Sequence, residues 1–96
     1  MTEEYLQTEF EKERQRRICV ALWAYAYEYM SEPIVDDAKF DKTCQEIDVS
    51  ISTENKEMDE WFKKEFSPDT GQWITKHPHL ERLHQMYLDH KEHEKF

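Results

Sequence analysis

The chain has 96 residues, of which 38% are apolar and 14% aromatic, so it can form one domain with a modest core and is too aromatic for a disordered segment. Its formal net charge of −9 repels phosphate backbones, so we expect no direct binding to nucleic acid. The single glycine, Gly71, excludes P-loops, dinucleotide-binding glycine motifs and nucleophile elbows, and it favours helices over hairpins.

Residues 3–30 are predicted to form one long helix or two joined ones, and the two halves of this segment differ. Its first half carries a basic island, which we expect to be solvated and paired with neighbouring glutamates, with phosphate binding as the alternative; the island is Lys12, Arg14, Arg16 and Arg17. From Ile18 onwards the helix is apolar on two faces, which indicates the central helix of a bundle. The two apolar stripes are Ile18, Leu22, Tyr25 and Tyr29, and Trp23, Tyr27 and Met30.

Pro33 ends this helix, because proline forces the residue before it out of the α region. A second helix then starts at Asp36 or Asp37 and runs to about Asp48. Either aspartate can serve as its N-cap by accepting a hydrogen bond from an amide of the first turn. The buried stripe of this helix is predicted to be Phe40, Cys44 and Ile47.

Two more helices and a long loop complete the predicted fold. Thr53 is predicted to cap the third helix, whose apolar face is Met58, Trp61, Phe62 and Phe66. The loop 67–78 needs an anchor, and Trp73 is the expected one. A fourth helix follows with Leu80, Leu83, Tyr87 and Leu88 on one face, and residues 89–96 are predicted to fray. The sequence therefore predicts an all-α fold, a small four-helix domain with one long helical hairpin-like corner and an ordered loop before the last helix.

Two carboxylates and an aromatic ring come together at the start of the second helix. Asp37 and Asp41 are one helical turn apart, and Phe40 lies beside them. One interpretation is structural, with Asp37 as a cap and Asp41 as a solvated helix residue. The other is functional: both carboxylates accept hydrogen bonds from ribose hydroxyls or a carboxamide, while the ring stacks on a flat, positively charged heterocycle.

The same corner resembles a known family. An ungapped match from Ala21 to Ile47 carries Tyr27, Pro33, Asp37-Ala38 and Phe40-Asp41, followed by Gln45-Glu46-Ile47. In this pattern the chain is similar to the N-terminal helical domain, domain Ia, of bacterial NAD-dependent DNA ligases. The second half of the chain, including residues 67–78, is not typical of that domain and resembles small phage-encoded proteins that carry the domain alone. That family's domain Ia handles the nicotinamide mononucleotide (NMN) half of NAD, so NMN or NAD is the implied ligand.

The resemblance also implies roles for individual residues. The family's aromatic rings sandwich the nicotinamide, and its two aspartates hold the polar edge and the ribose; by position these roles fall on Tyr27, Phe40, Asp37 and Asp41. The family usually has tyrosine where this chain has Phe40, which keeps the stacking face and loses a hydroxyl. It usually has histidine where this chain has Glu28, and a carboxylate there meets the nucleotide phosphate with like charge.

The ligase reaction itself is not expected from this chain. It requires a lysine nucleophile in a Lys-x-Asp-Gly motif on a separate nucleotidyltransferase domain, and the sequence has no such motif. We therefore expect a non-catalytic recognition module. The alternative is an acidic interaction module that has lost the ligand, either a homodimer or an inhibitor or adaptor of a host nucleic-acid enzyme.

The remaining reactive side chains point to no site. The histidines all lie in the last twenty residues, and only His90 and His93, followed by Glu94, have a spacing that suggests a metal, so we expect no metal site. Cys19 and Cys44 are predicted to be buried and reduced, and no secretory leader or membrane span is evident, so a cytoplasmic protein is expected. The three tryptophans, Trp23, Trp61 and Trp73, exceed what a small core hides, which favours a protein partner.

Overall fold

A computed structural model describes residues 9–94 and confirms the all-α prediction. Four α-helices follow one another, α1 (Glu9–Met30), α2 (Asp37–Glu46), α3 (Lys56–Glu65) and α4 (Leu80–Glu94), with a short 3-10 helix (Gln72–Lys76) between α3 and α4. The described part of the chain contains no β-strand. Residues 3–8 of the predicted first helix lie outside the described residues.

Helix α1 is the central element, since it contacts α4, α2 and the 3-10 helix. Its core face combines small side chains with Tyr25, one of the large residues that the sequence predicted to be buried. Val20, Ala21 and Ala24 are buried, whereas Ile18, Tyr27 and Tyr29 are 42, 60 and 45% exposed. The prediction of two buried stripes was wrong for these three large residues, because a helix surrounded by three neighbours needs small side chains where their backbones approach.

The N-caps of α2 and α3 differ from the predictions. The Asp36 side chain accepts a hydrogen bond from the Lys39 amide at 2.8 Å. Of the two predicted candidates, Asp36 is therefore the N-cap of α2 and Asp37 is not. Asn55 caps α3 in the same way, accepting from the Met58 amide at 3.2 Å. The prediction of a Thr53 cap was wrong, because the Thr53 hydroxyl donates to the Asp59 carboxylate instead.

The segment between α3 and α4 is ordered by aromatic packing. Trp73 is 4% exposed and Ile74 is fully buried, which confirms Trp73 as the anchor of this loop. The Trp73 ring packs against Trp61, Phe62 and Phe66 at centroid distances of 5.9, 5.9 and 5.1 Å. The Trp61 indole also donates to the carbonyl of Lys76 at 2.9 Å, which fixes the end of the 3-10 helix.

The basic island contains a buried ion network that the sequence did not reveal. Arg17 is 4% exposed, and its guanidinium contacts Glu13 at 2.7 Å and Asp59 at 2.8 Å. It also donates to the carbonyls of Asp48 and Ile51 at 2.9 and 3.0 Å, so it holds the connection between α2 and α3 against α1. The expectation of a solvated island was therefore wrong for Arg17, although its pairing with a neighbouring glutamate was correct.

Helix α4 closes the core on the other side of α1. Leu83 and Tyr87 are buried as predicted, but Leu88 is 43% exposed because it lies off the face that meets α1. The helix continues through Glu94, and the fraying predicted for 89–96 stays a prediction.

Candidate functional site

The corner between α1 and α2 is held in place by a contact with α4. Ser31 leaves α1 with a φ of 54°, and the Glu32 amide donates to the Ala26 carbonyl at 3.1 Å. The Glu32 carboxylate accepts hydrogen bonds from the Tyr87 hydroxyl and, at 2.7 Å, from the Lys91 ammonium. The hydrogen bonds from Lys91 and Tyr87 lower the pKa of Glu32, so its carboxylate is ionised at neutral pH. This contact of Glu32 with Tyr87 and Lys91 is the tie between the corner and α4.

A cleft of about 230 Å³ opens at this corner. All five residues that the sequence and the resemblance pointed to line it: Tyr27, Glu28, Asp37, Phe40 and Asp41. Tyr27 and Glu28 come from the last turns of α1, and Asp37, Phe40 and Asp41 come from the first turns of α2. The fold therefore brings together every residue proposed for the site.

The cap geometry separates the two interpretations of Asp37. Because Asp36 accepts the bond from Lys39, Asp37 is not needed as the cap of α2. Asp37 and Asp41 are both exposed, and both line the cleft. Their carboxylates are thus available to a ligand in the cleft, as the functional interpretation requires.

A third wall comes from the loop before the 3-10 helix, which sequence reasoning had not assigned to the site. Thr70 and Gly71 of this loop line the cleft together with Gln72, the first residue of the 3-10 helix. A Cβ atom placed on Gly71 would lie 3.6 Å from both the Ala24 methyl group and the Phe40 ring, so the glycine backbone packs closely onto the cleft. That Gly71 is the only glycine in the chain was the one signal that could have identified this wall.

The other lining residues that sequence reasoning missed form an apolar base. Trp23 and Ala24 come from α1, and the turn between α1 and α2 contributes Pro33, Ile34 and Val35. Trp23, Ile34 and Val35 are half-buried. The cleft therefore combines an apolar and aromatic surface with carboxylates, as small-molecule sites commonly do.

The charges in the cleft are of one sign. Three carboxylates, those of Glu28, Asp37 and Asp41, line it, and its lining residues include no lysine, arginine or histidine. The Lys39 ammonium lies nearby, 5.9 Å from the centroid of the Trp23 ring, where it makes a cation–π contact. An electronegative cleft with aromatic walls favours a flat cation over an anion.

Both cysteines are poor nucleophiles. Burial raises the pKa of the Cys44 thiol to about 11, and burial also raises the pKa of Cys19. Both are free thiols, and neither lines the cleft.

Two of the histidines belong to a second cleft. His77 and His79 line this second cleft of about 240 Å³ between α1, α3 and α4, whose charged residues are otherwise Arg14, Arg17 and Arg82. Burial, together with repulsion by His79, lowers the pKa of His77 to about 4, so its imidazole is neutral at pH 7. Among residues 9–94, no group of three or more His, Cys, Asp or Glu side chains could hold a metal ion.

Within the described part of the chain, no helix combines the length and the apolar character needed to cross a bilayer.

Comparisons with known proteins assign no relative. No protein-family model matches the chain, and neither a curated protein nor a solved structure matches it.

Proposed function

We propose that the protein is a non-catalytic recognition module that binds a nicotinamide nucleotide or a related ligand, NMN or NAD being the ligands to which the resemblance points. The observation that carries this proposal is that Tyr27, Glu28, Asp37, Phe40 and Asp41 line one cleft of about 230 Å³. These residues come from two helices, and the cap at Asp36 leaves Asp37 available to the cleft.

Recognition would use the aromatic and acidic parts of the cleft differently. Tyr27 and Phe40 would stack on the nicotinamide ring, whose positive charge makes the contact with an aromatic face more favourable. Asp37 and Asp41 would accept hydrogen bonds from the carboxamide and the ribose hydroxyls. The tie from Glu32 to α4 would keep the two helix ends at a fixed separation, which reduces the entropy lost on binding.

Binding without chemistry is part of the proposal. The lining offers the carboxylates of Glu28, Asp37 and Asp41, and the proposal gives Asp37 and Asp41 the role of hydrogen-bond acceptors. The proposal places the protein in the cytoplasm, where free Cys19 and Cys44 stay reduced.

A titration followed by amide chemical shifts tests this function. NMN and NAD are added separately to the ¹⁵N-labelled full chain up to millimolar concentrations. We expect the amides of Tyr27, Asp37, Phe40 and Asp41 to shift with a common saturation curve. An absence of shifts at these residues for both ligands would refute nicotinamide-nucleotide binding.

The second candidate is an acidic interaction module, which exposed apolar side chains favour. Ile18, Tyr29 and Leu88 are 42, 45 and 43% exposed, and Tyr27 is 60% exposed. A homodimer or a host protein that covers such residues would gain apolar burial. Light scattering after gel filtration distinguishes the two candidates. A stable dimer that dissociates when Tyr27 is replaced by serine supports interaction. A monomer at all concentrations rules out the homodimer.

The inhibitor or adaptor version of this candidate depends on the net charge of −9, which complements a basic nucleic-acid enzyme. Copurification of a basic nucleic-acid enzyme from the native host, lost at high salt, would support it. Purification of the chain alone under the same conditions would count against it.

A further inference from the structure

We propose that the cleft at the α1–α2 corner selects cationic pyridinium ligands that carry no phosphate, so that a riboside is bound in preference to its nucleotide. This inference rests on the proposed function, because it names the ligand class of the same cleft. It follows from the signs and positions of the charges in the cleft.

The lining of the cleft contains negative charges without positive partners. Glu28, Asp37 and Asp41 line it and are exposed, and none of the three forms an ion pair with a residue of the described part of the chain. A pyridinium ion at this position would gain three favourable Coulomb interactions. A phosphate dianion attached to the same ligand would meet the same carboxylates with repulsion.

No cation on the cleft wall compensates for that repulsion. Sites that recognise phosphate normally supply arginine, lysine or free amides at a helix N-terminus. Here the lining has no basic side chain, and the N-terminus of α2 carries the Asp36 cap and Asp37, both negative. The Lys39 ammonium lies 5.9 Å from the centroid of the Trp23 ring, which lines the cleft, and this cation is outnumbered by the three carboxylates of the lining.

Glu28 is the position at which selectivity can be changed without disturbing the fold. Its side chain is exposed on the last turns of α1, and it makes no hydrogen bond or ion pair with the described residues. Replacement by histidine, Glu28→His, removes a negative charge from the cleft and adds a ring that is partly protonated at pH 6. Glu60 on α3 is also exposed and lies outside this cleft, so Glu60→His is the matched control for the same change of charge.

The test uses two pairs of ligands, each pair differing in one property. Nicotinamide and 1-methylnicotinamide differ in the positive charge on the ring, and nicotinamide riboside and NMN differ in the phosphate. Affinities are measured at low salt by the shifts of the Asp37 and Asp41 amides. We expect 1-methylnicotinamide to bind at least tenfold more tightly than nicotinamide, and the riboside at least tenfold more tightly than NMN.

The two variants then show whether the preference for the riboside over NMN comes from the Glu28 carboxylate in the cleft. At pH 6, Glu28→His should reduce the preference for the riboside over NMN at least threefold, whereas Glu60→His should leave the preference unchanged. A thermal melt of each variant shows that it is folded.

The outcomes separate this inference from the proposed function. If NMN binds as tightly as the riboside, or nicotinamide as tightly as 1-methylnicotinamide, the inference is overturned and the proposed function stands. If none of the four ligands shifts the cleft amides, both are overturned. If Glu28→His and Glu60→His change the preference equally, the effect comes from net charge, and the assignment to the cleft is overturned.

Discussion

Asp36 caps helix α2, and its neighbour Asp37 faces the cleft. The Asp36 carboxylate accepts from the Lys39 amide at 2.8 Å, while Asp37 lines the cleft with Tyr27 and Phe40. Two adjacent aspartates thus have different surroundings, and the proposal divides their roles, stability for Asp36 and recognition for Asp37.

The division predicts opposite effects of two alanine substitutions. Asp36→Ala removes the cap and should lower the free energy of unfolding by about 1 kcal/mol, with little change in ligand affinity. Asp37→Ala should change stability by less than about 0.5 kcal/mol and weaken binding of 1-methylnicotinamide at least threefold. Urea denaturation and ligand titration of both variants check this. Equal stability losses for the two would show that Asp37 shares the cap.

The buried network predicts a large cost for removing Arg17. Arg17→Met leaves the fully buried Glu13 without its closest cation and leaves two backbone carbonyls without their donor, so the free energy of unfolding should fall by about 3–5 kcal/mol. Arg16 also pairs with Glu13, at 3.0 Å, but its side chain is 27% exposed. Arg16→Met is therefore the control, with an expected loss of at most about 1 kcal/mol. Similar losses in urea denaturation for both variants would contradict the assigned role of Arg17.

Half-buried His77 predicts a loss of stability in mild acid. Its pKa is lowered to about 4 in the folded chain, below the ordinary value of 6.5, so the folded state favours the neutral ring. The unfolded chain takes up the proton first as the pH falls. The free energy of unfolding is therefore not reduced by His77 above about pH 6.5. It falls as the pH approaches 4, by about 2 kcal/mol after allowance for solvent screening.

His77→Gln isolates this contribution. Asp59 and Asp48 also lose stabilising contacts in acid, because hydrogen bonds hold the pKa of each carboxyl below its ordinary value, and for Asp59 they outweigh the opposing effect of burial. These carboxyls titrate in both proteins, so the comparison removes them. Between pH 7 and pH 4.5 the variant should lose about 2 kcal/mol less than the wild type in urea denaturation. Parallel losses would contradict a neutral, buried His77.

The loop wall predicts that size at Gly71 controls access to the cleft. A methyl group there meets Ala24 and Phe40 at 3.6 Å, which is an ordinary contact, so Gly71→Ala should fold with a stability change within about 1 kcal/mol. Gly71→Leu places a longer side chain against Phe40 and should abolish binding of 1-methylnicotinamide. Thr75→Leu, at an exposed position of the 3-10 helix that follows Gly71, is the control and should bind normally. Normal ligand binding by Gly71→Leu would show that the loop is not part of the site.

Local signals in the sequence were sufficient to predict the corner between α1 and α2 but not the residues that surround it. Pro33 and the Asp36-Asp37 pair act within a few residues, so the end of α1 and the start of α2 followed from their chemistry. The pairing of Arg17 with Asp59 joins residues 42 positions apart, and no periodicity within one helix reveals such a partner. The same holds for Gly71, which reaches Ala24 and Phe40 only after Trp73 has anchored the loop in the core.

Part of the core face of α1 was missed for a related reason, although Tyr25 is buried as predicted. Hydrophobicity favours large side chains as the buried ones, and it assigned Ile18 and Tyr29 to the interior. Steric fit between helices decided otherwise, because Ala21 and Ala24 permit the close approach of neighbouring elements.

Intermolecular nuclear Overhauser effects between 1-methylnicotinamide and the full chain test recognition at the α1–α2 corner most directly. The ring protons of the ligand should show contacts to the side-chain protons of Tyr27 and Phe40, and these contacts should disappear in Gly71→Leu. Contacts to residues of the second cleft, such as Met58 or Met86, or no contacts at saturating ligand, would contradict the claim that the α1–α2 corner is the recognition site.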